Sequence, residues 1–117
     1  MASSDQENLT KQIRSFTAER DWQQFHSPKN LAMALSVEVA EIVEIFQWLN
    51  QEQSRDLDNA KKAHLAEEIG DVMIYLTNLA DKFGIDPIDA AKKKMVLNIY
   101  KYPADKARGT AKKYNEL

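Results

Sequence analysis

The chain has 117 residues, is 44% hydrophobic and 29% charged, and carries a formal net charge of −2, which bounds it to one ordinary globular domain. It contains no cysteine, so disulfides, thiolate metal sites and thiol nucleophiles are excluded together. Three glycines and three prolines are too few for the turns of a sandwich or barrel.

Neither the basic excess that favours nucleic acid nor an apolar run able to span a bilayer is present. The start, Met-Ala-Ser-Ser-Asp-Gln-Glu, lacks the features of a signal peptide. The expectation is a cytoplasmic protein with no nucleic-acid partner and no membrane span.

Residues 1–8 are polar and are expected to fray. From Leu9 the apolar spacing is helical through Ile13 and Phe16 and on to Trp22 and Phe25. His26-Ser27-Pro28 interrupts it, with Ser27 suited to an N-cap and Pro28 to the first helical position. A second helix is expected from Pro28 to about Asn50, with the stripe Leu31, Leu35, Val39, Ile42, Phe46 and Leu49. After a polar link, Asp58 can cap a third helix that ends near Gly84, striped by Leu65, Ile69, Val72, Leu76, Leu79 and Phe83. Asp86 and Pro87 open a fourth helix, which stops before Pro103. The basic tail, residues 103–117, shows no period and is expected to be extended.

Four helices without a strand predict an all-α, four-helix bundle over residues 9–102. Val37, Val43 and Ile45 on the second helix, and Met73 and Ile74 on the third, are apolar off the main stripe. A helix that is apolar on several sides is buried on several sides. In so short a chain this predicts a homo-oligomer.

The acidic residues have a specific azimuth. Measured from its stripe, the second helix carries Glu38 at roughly 60° and Glu41 at roughly 120° on one side, while Glu44 points away at about 180°. The third helix repeats this with Glu68 at roughly 65° and Asp71 at roughly 125°, while Glu67 points away at about 165°. If the two helices form a hairpin, four carboxylates converge at one edge of the seam. Such charges repel. A hard divalent cation resolves the conflict, and an all-carboxylate set favours Mg²⁺, with Mn²⁺ an alternative. Acidic pairs at this spacing are also common on solvated helix faces, so the weight lies on the matched pairs. The di-iron alternative needs histidines that His26 and His64 do not supply at the required spacing.

The pattern Glu38-x-x-Glu41 with Glu68-x-x-Asp71 resembles the MazG-like all-α nucleoside triphosphate pyrophosphohydrolases. The segments Glu19 to Leu31, Glu44 to Trp48 and Arg108 to Tyr114 resemble the dCTP pyrophosphatase branch of that family. Val37 stands where many members carry a glutamate. The resemblance implies Mg²⁺-dependent cleavage of a nucleoside triphosphate to the monophosphate and diphosphate, with Glu38, Glu41, Glu68 and Asp71 as metal ligands and catalytic groups. It implies that Trp22 and Trp48 wall a base pocket with His26, Asn30, Asn98 and Tyr102 nearby. Lys29, Arg108 and Lys112 become candidates for phosphate contact. It also implies a homo-oligomer, a tetramer ahead of a dimer, with sites between protomers.

Some of these roles have independent support. Trp48 lies on the flank of Glu41, where it can stack on a base or pack at a subunit interface. Tyr75 lies beside Glu68 and Asp71. Trp22 can serve the core or a base, His26 a loop or a ligand, and Asn98 a base edge or solvent. Glu38 and Glu41 are equal candidates for the general base. A second function class, a non-catalytic helical oligomer that binds nucleotide or a protein partner, stays open on the residues alone.

Overall fold

The structure is a computed structural model and describes residues 4–117. The described residues form six α-helices and no strand: α1 (Ser4–Glu19), α2 (Pro28–Phe46), α3 (Gln51–Ser54), α4 (Asn59–Asp81), α5 (Pro87–Lys101) and α6 (Ala104–Ala107). Short 3-10 turns cover Gln23–Phe25 and Tyr114–Glu116. The fold is all-α, as expected. No helix among the described residues is long and apolar enough to cross a membrane.

Caps set the helix boundaries. Ser27 accepts from the Asn30 amide at 3.2 Å and opens α2 with Pro28 behind it. Asp58 accepts from the Lys61 amide at 2.8 Å, and Asp86 from those of Ile88 and Asp89. Gly84, at φ 64°, closes α4 with Ile85 N–H bonded to the Ala80 carbonyl, as a C′ glycine should.

Four boundaries differ from expectation. The first helix does not run to Phe25. Asp21 turns left-handed at φ 53°, and its amide and that of Trp22 bond back to the carbonyls of Ala18 and Thr17. This is a Schellman closure with aspartate in the position glycine usually takes, which aspartate tolerates. The second helix ends at Phe46, because Asn50 forms a reciprocal capping box with Gln53 and starts α3 instead. Helical structure begins at Ser4, so the expected fraying does not extend over residues 4–8; residues 1–3 lie outside the described residues. Gln6 is buried there and donates to the Thr77 hydroxyl at 3.2 Å, tying α1 to α4. The tail is not extended throughout: it folds into α6 and a 3-10 turn, with Tyr114 edge-on to Tyr102 at 6.2 Å.

The hairpin of α2 and α4 is the main packing unit, with α1 laid on α4. Its seam is turned away from the centre of the apolar stripes and toward their acidic flank. Glu68, Leu65, Val72 and Tyr75 are buried or half-buried, whereas Val39, Ile69 and Leu76 are exposed. Val37, Val43, Met73 and Ile74 are also exposed. Among the described residues, only Ile13 and Leu31 are buried apolar residues. The radius of gyration, 17.6 Å, exceeds the ~13 Å of a compact chain of this length.

Candidate active site

The hairpin brings together three of the four predicted carboxylates. Glu38, Glu41 and Glu68 each offer an oxygen within 4.8 Å of the others. Glu68 is only 8% exposed. Glu44 and Glu67 face solvent, as their azimuths require. Asp71 does not join the triad: it is exposed one turn beyond Glu68, where its shorter side chain falls outside the cluster, although its charge still acts on Glu38.

The electrostatics are those of an unneutralised acidic site. Burial pushes the Glu38 carboxyl up to about 7, aided by Glu41, Asp71 and Glu68. Glu68 is also raised, first by the close Glu41 carboxylate and then by burial. His64 sits 3.3 Å from one Glu68 oxygen. The other oxygen of Glu68, and Oε2 of Glu38, are buried with no hydrogen-bond partner. A buried carboxylate oxygen without a partner is unfavourable. A cation between the helices would satisfy both, and a donor set made only of carboxylate oxygens suits Mg²⁺ or Mn²⁺. The residues present therefore fit such an ion.

Beside this cluster, α1, the α1–α2 connection and α4 enclose a cleft of about 320 Å³. Its apolar lining comes from Leu9, Ile13, Phe16 and Ile74. Four predicted site residues join it: Trp22, His26, Tyr75 and Asp71. Trp22 packs edge-on to Phe16 at 5.5 Å and to His26 at 6.3 Å. The residue remains 42% exposed, so it is a cleft wall rather than core.

The other predicted residues do not line this cleft. Asn30 braces the loop instead, donating its amide to the Phe25 carbonyl at 3.0 Å. Lys29 is exposed on the first turn of α2. Trp48 stands 86% exposed beyond the end of α2. Asn98 is half-buried on α5, Tyr102 packs on Tyr114, and Arg108 and Lys112 are exposed in the tail.

Three polar cleft residues, Gln12, Thr17 and Asn78, escaped the sequence reading. Asn78 is 7% exposed, lines the cleft and places its Nδ2 3.3 Å from His26 Nδ1. For Asn78 the signal was present: positions 71, 75 and 78 follow helical spacing, so Asn78 continues the face of Asp71 and Tyr75.

Comparison with known proteins agrees with this architecture. Residues 33–117 match the model of the MazG-like family. The dCTP pyrophosphatase 1 of Homo sapiens is 42% identical over 113 residues, covering 95% of this chain and 66% of the human protein. The Bos taurus protein of the same name is 41% identical, covering 95% of this chain and 67% of its own length. The chain thus spans about two thirds of these curated relatives. The crystal structure of a pyrophosphatase from Archaeoglobus fulgidus superposes with a TM-score of 0.80 at 42% identity, covering 88% of this chain and 96% of that one. Identity at this level along nearly the whole chain, on a superposable fold and within a matching family model, makes this protein a member of the MazG-like family.

Proposed function

We propose that the protein is a divalent-cation-dependent nucleoside triphosphate pyrophosphohydrolase. Its preferred reaction converts dCTP, or a related deoxynucleotide, and water into dCMP and diphosphate. The observation that carries this reading is the triad of Glu38, Glu41 and Glu68, with two buried unpartnered oxygens, beside an aromatic cleft. The choice of dCTP rests on the relatives named above.

Glu38, Glu41 and Glu68, with Asp71 at the rim, would hold Mg²⁺ or Mn²⁺. Such a cation supplies neutralisation of the triphosphate and of the charge developing on the leaving diphosphate. Glu38 or Glu41 takes the proton from the attacking water. Attack at the α-phosphorus breaks the α–β anhydride and leaves the monophosphate on the nucleoside. Trp22 and Tyr75 hold the base, because an aromatic ring stacks on any base face.

The working unit is a homo-oligomer, a tetramer in preference to a dimer. This is supported by the open apolar residues Val37, Val43, Ile69 and Met73 on the hairpin and Val96, Leu97 and Ile99 on α5. Trp48, Asn98, Tyr102, Lys29, Arg108 and Lys112 then reach a site only through assembly, the cations meeting phosphates and Trp48 the base. A cytoplasmic location, with the nucleotide pool, follows from the substrate class.

The test is to incubate the protein with each ribo- and deoxyribonucleoside triphosphate, with and without Mg²⁺, and measure diphosphate. Release of diphosphate with Mg²⁺, largest for dCTP, is expected. No release from any triphosphate would overturn the enzymatic reading and favour a non-catalytic nucleotide-binding oligomer.

A further inference from the structure

We infer that Asn78 is a positioning residue that fixes the tautomer of His26, so that the cleft offers a ring N–H donor to the substrate base. The inference rests on the function proposed above and adds the base-edge chemistry that the cleft selects.

The placement of the two residues carries the argument. Asn78 projects from the last turn of α4, the longest helix, is nearly fully buried, and lines the cleft. A buried amide must find partners. Its Nδ2 meets His26 Nδ1 at 3.3 Å, from a position 52 residues away in sequence. An amide nitrogen only donates, so the facing Nδ1 carries the lone pair. In a neutral imidazole the proton then sits on Nε2. Burial, and next the charge of Lys82, hold His26 below the ordinary imidazole range, so the neutral form is the one present near pH 7. Nε2 has no protein partner among the described residues and is the nitrogen left for a ligand.

The surroundings hold this arrangement in place. Asn30 donates to the Phe25 carbonyl, and Gln24 donates to the Asp21 carbonyl at 3.0 Å, bracing the loop on both sides of His26. Asn78 lies seven residues beyond Asp71 on α4, ~10 Å along the helix axis. That separation suits a nucleotide whose phosphates meet the carboxylates while its base enters the cleft.

An N–H donor at the base selects a ring-nitrogen acceptor. Cytosine offers one at N3, whereas uracil and thymine carry a hydrogen there. A donor facing a donor leaves two buried polar groups unsatisfied, which discriminates more strongly than a lost methyl contact. The His26–Asn78 pair is therefore a device for preferring cytosine over uracil.

The experiment uses the full chain. In the nucleotide-free protein, ¹⁵N NMR of the His26 ring is expected to show protonated Nε2 and bare Nδ1. Asn78→Leu should release the tautomer, raise KM for dCTP about tenfold with kcat little changed, and lower the dCTP over dUTP preference by a similar factor. Asn78→Asp, close in shape, offers only acceptors and should protonate Nδ1; it keeps the test open should the leucine variant fail to fold. Nδ1 protonated in the unmodified protein, or Asn78→Leu with unchanged tautomer and unchanged KM ratio, would overturn the inference. The expected tautomers without cleavage of any triphosphate would remove the proposed function and leave the pair intact. Cleavage with the opposite tautomer would remove the pair alone.

Discussion

The two flanks of the α2–α4 hairpin invert the usual rule of burial. On one flank Glu68 is 8% exposed, with Glu38 and Glu41 half-buried beside it. On the other, one residue further along the same helix, Ile69 is 48% exposed, and Val43 reaches 56%. Charged groups are almost never buried unless paired, and contiguous apolar surface is seldom left open. Each flank is thus the surface of an incomplete object. Among the described residues no lysine or arginine pairs with the acidic flank, where His64 alone approaches Glu68, and the apolar flank stays open. The two deficits differ in kind: an ion could fill the first, and the proposed second protomer would cover the second.

The largest effect should come from disturbing the acidic flank. Glu68→Gln keeps the shape and removes a charge. It should lower Mg²⁺-dependent diphosphate release by at least ~10²-fold, with the helical circular dichroism unchanged. The same substitution should raise the melting temperature measured without divalent cation, because one of three mutually repelling groups is gone. An active Glu68→Gln enzyme would break the link between the triad and the chemistry.

The apolar flank should respond in assembly rather than in chemistry. Ile99 is 65% exposed on α5. If it is buried between protomers, Ile99→Asp should weaken association by at least about tenfold. Light scattering after size-exclusion chromatography should then show a smaller particle. An unchanged mass would remove α5 from the interface.

A third effect reads the acidic flank through pH. The folded chain keeps the Glu38 proton to about pH 7, above the ordinary glutamate value of 4.5. Between those values the folded state binds more protons than the unfolded state, so stability falls as pH rises. The contribution is fully present below pH 4.5 and is lost as pH passes through about 7. Melting temperatures of the cation-free protein should decline across that window, and saturating Mg²⁺ should flatten the decline by binding the ionised form. A flat profile without cation would mean that Glu38 is not perturbed.

A smaller effect belongs to a region outside both flanks. Arg14 grips Asp81 with both arms, tying α1 to the end of α4, with Nε donating at 2.8 Å. Its guanidinium holds the Asp81 carboxyl below the usual range. That contribution exists above the ordinary aspartate value of 3.8 and is lost as pH falls through the folded value. The arginine is 60% exposed, so screening keeps the contribution modest. Asp81→Asn should lower the melting temperature by a few degrees at pH 7 and by less in acid.

Much of this organisation could be read from the residues. Ser27, Asp58 and Asp86 act locally, as caps, and their helix starts were legible for that reason. Three of the four carboxylates were legible because azimuth depends only on helical spacing, whereas the shorter reach of Asp71, which leaves it outside the triad, was not. The closure at Asp21 was not, because a left-handed aspartate leaves no pattern in an apolar stripe. The pairing of Asn78 with His26 spans 52 residues and no local rule reaches it. The rotation of the seam toward the acids was also hidden. Apolar stripes say that a surface will be covered, and not whether the same chain covers it.

The smallest expected effect is the sharpest check on the azimuth argument. Glu44 lies one turn beyond Glu41 on α2, has the same chemistry, and faces solvent. Any account based on acidic composition alone would give the two residues equal weight. On geometry they differ completely: Glu41 shares oxygens with the triad and Glu44 does not. Glu44→Ala should leave kcat and KM within about twofold and stability within ~0.5 kcal/mol, as for an ordinary surface change. Measured beside Glu41→Ala under the same Mg²⁺ concentration, it isolates position from charge. Comparable damage from both would mean that net negative charge on α2, rather than the burial of one flank, governs the site.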